Sequence, residues 1–263
     1  MAVQHTDQSV LPRLRFRDIS VRFGGLTALD AVSFTVPAGA VVGIIGPNGA
    51  GKTTLFNVVC GFTSPGSGSL ELDGETFRPR PRMLSRHGVA RTLQGLGLFP
   101  GLTVLENVML GMEGSAAHTV IEDALLLPRS RRGEARLRER ALQALHELGI
   151  ATHAAALPET LPYGIRKKAA LARALAGEPR LLLLDEPAGG LAHDDIDELA
   201  EIIRAVPATG CSVVLVEHHV DLVMSVCERI AVLDFGKLIA EGTPAEISAD
   251  PAVTDAYLGV EPV

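Results

Sequence analysis

Gly46-Pro47-Asn48-Gly49-Ala50-Gly51-Lys52-Thr53-Thr54 decides how this chain is read. It fits the spacing G-x-x-x-x-G-K-[ST], in which small residues let backbone N–H groups turn inward around a phosphate. Before it, Val41-Val42-Gly43-Ile44-Ile45 is apolar and β-branched, the pattern of a buried strand. After it, Leu55-Phe56-Asn57-Val58-Val59-Cys60 continues at helical spacing. Strand, glycine loop and helix in that order predict a nucleoside triphosphate site. The helix N-terminus adds partial positive charge, Lys52 would reach the β- and γ-phosphates, and Thr53 would offer its hydroxyl to Mg²⁺.

A second pair of charged positions completes this chemistry. Leu181-Leu182-Leu183-Leu184 reads as a buried strand and delivers Asp185-Glu186-Pro187 at its end. Adjacent carboxylates there suit two tasks. Asp185 would hold Mg²⁺, directly or through water, and Glu186 would polarise the attacking water as general base. A further strand, Ser212-Val213-Val214-Leu215-Val216, leads to Glu217-His218-His219, where His218 could touch a γ-phosphate.

Composition narrows the class. A chain of 263 residues suits one nucleotide-binding core with a subdomain. Hydrophobic residues make up 47% and mean hydropathy is +0.26, apolar enough to leave sticky surface. No run reaches the roughly 18 apolar residues of a membrane span. Met1 to Leu11 is polar, lacks the apolar block of a signal peptide, and reads as a flexible tail of a cytosolic chain. A net charge of −7 argues against nucleic acid as partner. Arg129-Ser130-Arg131-Arg132, with Arg136, Arg138 and Arg140 interleaved with Glu134 and Glu139, reads as a solvated helix face, with lipid headgroups as the alternative. Cys60, Cys211 and Cys227 have no metal or disulfide spacing and read as buried small hydrophobes.

Local patterns place the elements. Leu14 to Val21 and Ala31 to Val36 are expected strands, and Leu70-Glu71-Leu72 before Asp73-Gly74 signals a hairpin. Thr103-x-x-Glu106 is a capping box opening a helix. Helical pattern continues through Arg136 to Leu148 and Ala169 to Ala176. Arg229 to Leu233 and Leu238 to Glu241 flank Asp234-Phe235-Gly236-Lys237 as a terminal hairpin.

One more segment narrows the family. Leu161-Pro162-Tyr163-Gly164-Ile165 precedes Arg166-Lys167-Lys168-Ala169-Ala170-Leu171-Ala172-Arg173-Ala174-Leu175, about 20 residues before Asp185. Here the chain resembles the ATP-binding subunits of ABC transporters, over about residues 12 to 260. The segment is similar to that family's signature loop, generally written LSGGQ. Gln94, in Arg91-Thr92-Leu93-Gln94, matches the Q-loop glutamine, and His218 matches the switch histidine. Phe23 matches the aromatic that stacks on adenine. Arg22-Phe23-Gly24-Gly25-Leu26-Thr27-Ala28-Leu29, Phe99-Pro100-Gly101-Leu102-Thr103-Val104-Leu105-Glu106-Asn107-Val108, Phe235 to Pro244 and Ala256-Tyr257-Leu258-Gly259 are similar to the LivG-like group, which serves branched-chain amino acids, urea and short amides.

The resemblance implies an α/β P-loop NTPase core, RecA-like, with an antiparallel β subdomain and a helical signature subdomain. It implies one domain over 12–260, with core residues at about 12–94 and 171–245 and the helical subdomain at about 95–170. ATP would be held by Phe23, Asn48, Gly49, Ala50, Gly51, Lys52, Thr53 and Thr54, and the partner's nucleotide by Pro162, Tyr163 and Gly164. Lys52, Gln94, Glu186 and His218 would be catalytic, and Thr53, Gln94 and Asp185 would hold Mg²⁺. The implied partners are a second ATP-binding subunit, head to tail, and membrane permeases at the cytoplasmic face. Leu96, Leu98 and Phe99 would offer apolar side chains to such a permease. A lipopolysaccharide-exporter ATPase and a soluble non-transport ABC ATPase are the alternatives. The chain departs from the family pattern at Pro162, Ile165, Ala192 and His219. Three of these fall on the half that completes a neighbour's site: Pro162, Ile165 and Ala192.

Overall fold

The computed structural model describes residues 11–92, 96–112 and 128–258, without the side chains of 128–132, 257 and 258. The expected N-terminal tail, apart from Leu11, and Gln94 lie outside the described residues, as do the side chains of the Arg129–Arg132 run. Contacts divide the chain into two compact units, Met1–Pro81 with Ile203–Val263, and Arg82–Ile202.

The first unit holds two groups of strands. β1 (Leu14–Phe23) pairs antiparallel with β2 (Leu26–Val36) and β4 (Ser67–Leu72), and β5 (Glu75–Phe77) adds to β4 through a turn at Asp73 and Gly74, both at positive φ. Apolar residues alternate inward along β1: Leu14, Phe16, Ile19 and Val21 are buried. Phe16 stacks on its cross-strand partner Phe34 with ring centroids 4.3 Å apart. The alternation breaks at Asp18, φ 49°, where register shifts and Ser33 Oγ accepts the Asp18 N–H at 2.7 Å.

The second group is mostly parallel. β3 (Val41–Ile45) lies between β8 (Ser212–Val216) and β9 (Arg229–Asp234), parallel to both, and β10 (Lys237–Gly242) returns antiparallel to β9. Every residue of β3 and β8 is buried, which explains their unbroken apolar runs. Gly43 is small for a reason. A Cβ there would stand 2.8 Å from Val223 Cγ1 and 3.0 Å from Cys227 Sγ, so the helix Val220–Val226 packs directly on β3.

The second unit pairs β6 (Val89–Arg91) with β7 (Leu181–Asp185), parallel, and carries the helices Val104–Leu110, Pro128–Glu147 and Tyr163–Leu175 and most of His193–Ala205. The capping box forms as expected. The Thr103 hydroxyl accepts the Glu106 N–H at 3.2 Å, and the Glu106 carboxylate accepts the Thr103 N–H at 2.7 Å. Hydrogen bonds from the Thr103 hydroxyl, then from its backbone, hold the Glu106 carboxyl below the usual glutamate range. Arg136, Arg138, Glu134 and Glu139 are exposed, as a solvated helix face requires. Phe99 is 53% exposed, whereas Leu96 and Leu98 are half-buried, so the apolar surface of that segment is narrower than its sequence suggested.

Asn107 explains how that segment keeps its shape. It is fully buried; its Oδ1 accepts the Phe99 N–H at 2.7 Å, and its Nδ2 donates to the carbonyls of Phe99, Leu102 and Thr103 at 3.0–3.2 Å. Asn107→Ala is expected to lower stability by about 2 kcal/mol, since buried partners lose their hydrogen bonds; urea unfolding midpoints measure this.

The three cysteines form no disulfide and are buried, in keeping with their reading as small hydrophobes. Burial, then the Glu228 charge, pushes the Cys227 thiol up to about 12. The thiolate is the reactive form. Iodoacetamide at pH 8 is therefore expected to leave Cys227 unlabelled in native protein and to label it after unfolding, read by mass spectrometry.

Candidate active site

In the first unit, β3 ends at Ile45 and the chain turns through Gly46–Gly51 into the helix α1 (Lys52–Val59). Gly46, Gly49 and Gly51 hold φ of 150°, 82° and 102°, conformations that a side chain disfavours. A Cβ on Gly46 would overlap the Leu233 carbonyl oxygen, and one on Gly51 would lie 2.7 Å from Ala28 O. The turn between β9 and β10 braces the loop. Gly236 N–H donates to Ala50 O at 3.0 Å, and Gly236 O accepts the Asp30 N–H at 2.8 Å.

Lys52 is 6% exposed, and its Nζ donates to Gly46 O at 2.6 Å and Pro47 O at 3.0 Å. The ammonium thus curls back over the loop that precedes it. Asn48 and Gly49 are exposed, and no atom lies within 4 Å of a Cβ built on Gly49, so this side of the loop is open. No side chain caps α1 at Gly51. Its first N–H groups therefore suit an anionic ligand. Thr53 is exposed on the first turn, and Thr54 is half-buried behind it. Phe23 ends β1 and is 54% exposed.

The same unit holds the end of β8. Glu217 is 2% exposed, and its carboxylate accepts the N–H groups of His218 at 2.6 Å and His219 at 3.0 Å. Two short bonds fix the backbone that carries His218, whose side chain is exposed. Glu217 was not singled out by sequence reasoning. Its only signal is a carboxylate directly after a fully apolar strand.

In the second unit, Asp185 ends β7, is 3% exposed, and pairs with Arg91 at 3.2 Å. The Arg91 guanidinium offsets part of the cost of burying this carboxylate. This fits a Mg²⁺ ligand, because hard oxygen donors are what that ion takes. Among the described residues no three His, Cys, Asp or Glu gather as a metal cage. The fit is therefore to an ion shared with phosphate and water, the usual situation for Mg²⁺. Glu186 follows at φ 48°, a left-handed conformation in a non-glycine residue. Its carbonyl accepts the Gly189 N–H at 3.2 Å and Lys167 Nζ at 3.3 Å, and Pro187 O accepts Lys167 Nζ at 2.9 Å.

The segment Leu161–Ile165 opens the helix Tyr163–Leu175, with Pro162 as N-cap and no side-chain cap bond. Pro162 and Tyr163 are exposed. Gly164 is packed: a Cβ there would lie 2.7 Å from Asp195 Oδ1. This helix begins six residues before the Ala-rich run that announced it, because the apolar periodicity starts later than the backbone bonds. Arg91 and Lys167 stand inside stretches that looked informative, yet only the structure shows what each one holds.

Residues 29–189 match the family described as ABC transporter. The chain belongs to that family. Residues 237–263 also match the family described as branched-chain amino acid ATP-binding cassette transporter. The cassette is 38% identical to the high-affinity branched-chain amino acid transport ATP-binding protein BraF of Pseudomonas aeruginosa, over 94% of this chain and 98% of that one. It is 36% identical to the corresponding protein LivG of Escherichia coli K12, with the same coverage. It also resembles the crystal structure of a nucleotide-free ATP-binding cassette from an ABC transporter, with TM-score 0.80 and 29% identity, covering 95% of this chain and 100% of that one. It is an ATP-binding, ATP-hydrolysing subunit with a P-loop NTPase fold.

Gly46→Ala is expected to weaken ATP binding by more than about tenfold, or ~1.4 kcal/mol, because the loop must move off Leu233 to admit a methyl group. Titration with a fluorescent ATP analogue checks it.

Proposed function

We propose that the cassette drives import of a small polar solute, of the branched-chain amino-acid or related amide class, through separate permease subunits. The cargo class rests on one observation: the match of residues 237–263, from β10 through the tail, to the branched-chain amino acid cassette family. The names of BraF and LivG point the same way. Among the described residues no helix is long and apolar enough to cross a membrane. The cassette is accordingly proposed to sit at the cytoplasmic face, held by its permeases.

The residue roles follow from the two half-sites. Phe23 stacks on adenine, its exposed ring being suited to a planar base. Residues Asn48 to Thr54 wrap the phosphates, and Lys52 shifts from the loop carbonyls to the β- and γ-phosphate oxygens. Mg²⁺, when bound, neutralises phosphate charge; Asp185, Thr53 and Gln94 are the residues proposed to hold it. Glu186 takes the proton of the attacking water, and His218 touches the γ-phosphate. Two cassettes pair head to tail, and Pro162, Tyr163 and Gly164 of one chain close over the nucleotide of the other. Hydrolysis then cleaves the bond between the β- and γ-phosphates, and loss of the γ-phosphate lets the pair open.

The altered signature sets the balance between the two sites. Pro162 supplies no hydroxyl, Ile165 no amide and Ala192 no polar group to a partner's nucleotide. The chain therefore offers its partner a weakened half-site while keeping its own Lys52, Asp185, Glu186 and His218.

Two outcomes are expected. Glu186→Gln keeps ATP binding, loses turnover by about 10²-fold or more, and elutes as a more stable dimer in ATP on size exclusion. Ile165→Gln with Ala192→Asn raises the ATPase rate of the assembled transporter; an unchanged rate and ATP affinity would sink the weakened-signature reading. Uptake of radiolabelled leucine by proteoliposomes carrying the assembled transporter tests the cargo class, and lipid-stimulated ATPase without uptake would favour an exporter instead.

A further inference from the structure

We propose that Lys167 is a positioning residue for Glu186, binding the signature helix to the turn that carries the general base. The proposal rests on the reading of Glu186 as that base. Lys167 stands on the second turn of the helix Tyr163–Leu175. Its Nζ donates to the carbonyls of two successive residues, Glu186 at 3.3 Å and Pro187 at 2.9 Å. A cation that holds both carbonyls fixes the peptide plane between them.

That plane needs holding. Glu186 is at φ 48°, where a side chain strains the backbone, and Gly189 N–H also donates to its carbonyl, at 3.2 Å. Release of the carbonyl would let Glu186 relax and would swing its carboxylate away from the direction the turn imposes. The turn is gripped at its far end as well. The Tyr163 ring lies 3.2 Å from a Cβ built on Gly190, and Lys167 Nζ stands 5.5 Å from the centroid of that same ring. Lys167 and Tyr163 thus clamp residues 186–190 from one helix end. The neighbouring lysine does something different: Lys168 pairs with Glu198 and touches neither carbonyl.

The experiment measures steady-state ATPase and ATP affinity of the full chain with Lys167→Met, Lys167→Arg and Lys168→Met. Lys167→Met is expected to lower kcat about 10- to 100-fold, as misplacement of a catalytic group does. ATP affinity should stay within about threefold, since no nucleotide contact is removed. Lys167→Arg, which can still donate to both carbonyls, should recover most of the rate, and Lys168→Met should leave it unchanged. In a Glu186→Gln background, Lys167→Met should cause no further fall in the single-turnover rate. An unchanged kcat, an equal loss of ATP affinity, or an additive loss on top of Glu186→Gln overturns the proposal. Full turnover in Glu186→Gln alone overturns the base assignment, and this proposal with it. If Lys167→Met does not fold, Lys167→Ala gives the same comparison, because it also removes the donor.

Discussion

The site depends on backbone approaching backbone where no side chain fits. Gly46 lies against the Leu233 carbonyl, Gly51 against Ala28, and Gly236 against Ala28 and Leu29. These contacts join the phosphate loop to β2 and to the turn between β9 and β10. Within the loop they hold, Lys52 has a short path back to the carbonyls of Gly46 and Pro47. A methyl group at Gly46, Gly51 or Gly236 would separate surfaces that must touch. Glycine here is therefore a packing requirement as well as a conformational one.

Within each unit, charge is managed by burial. Lys52, Asp185 and Glu217 are each under 10% exposed, and each is held in a different way. Lys52 is bonded to carbonyls, Asp185 is paired with Arg91, and Glu217 accepts backbone N–H groups. Groups held like this are fixed in direction, as preorganised charge facing a phosphate must be. The strain at Glu186 belongs to the same scheme. A left-handed glutamate persists only when its neighbours over-determine it, and the grip of Lys167 and Gly189 does so.

Much of the fold was legible because its core strands are buried on both faces. Val41–Ile45, Leu181–Asp185 and Ser212–Val216 are buried along their whole length, so Val41 to Ile45, Leu181 to Leu184 and Val213 to Val216 show as runs without a polar side chain. Asp73-Gly74 and Asp234 to Lys237 marked their hairpins through turn chemistry, and Thr103 with Glu106 marked a helix start. Val89–Arg91 was missed: three residues are too few to display a period, and pairing with β7 defines them as a strand. His193–Ala205 was missed as well, because it opens on three polar residues, His193, Asp194 and Asp195. The expectation of apolar display at Leu96 and Leu98 was too broad, since burial of a loop residue depends on what packs against it and not on its own hydropathy.

By itself the sequence determined the family, the order of the elements and the identity of the loop that meets phosphate. These follow from short-range rules: glycine where φ is positive, apolar runs where strands are covered, acids at a strand end. Only the tertiary structure decided what holds those groups in place. Lys167 reaches Glu186 from 19 residues away, Arg91 reaches Asp185 from 94, and Gly236 braces Ala50 across most of the chain. Such partners are chosen by folding, because a side chain or peptide group has no local signature for the distant atom it will meet.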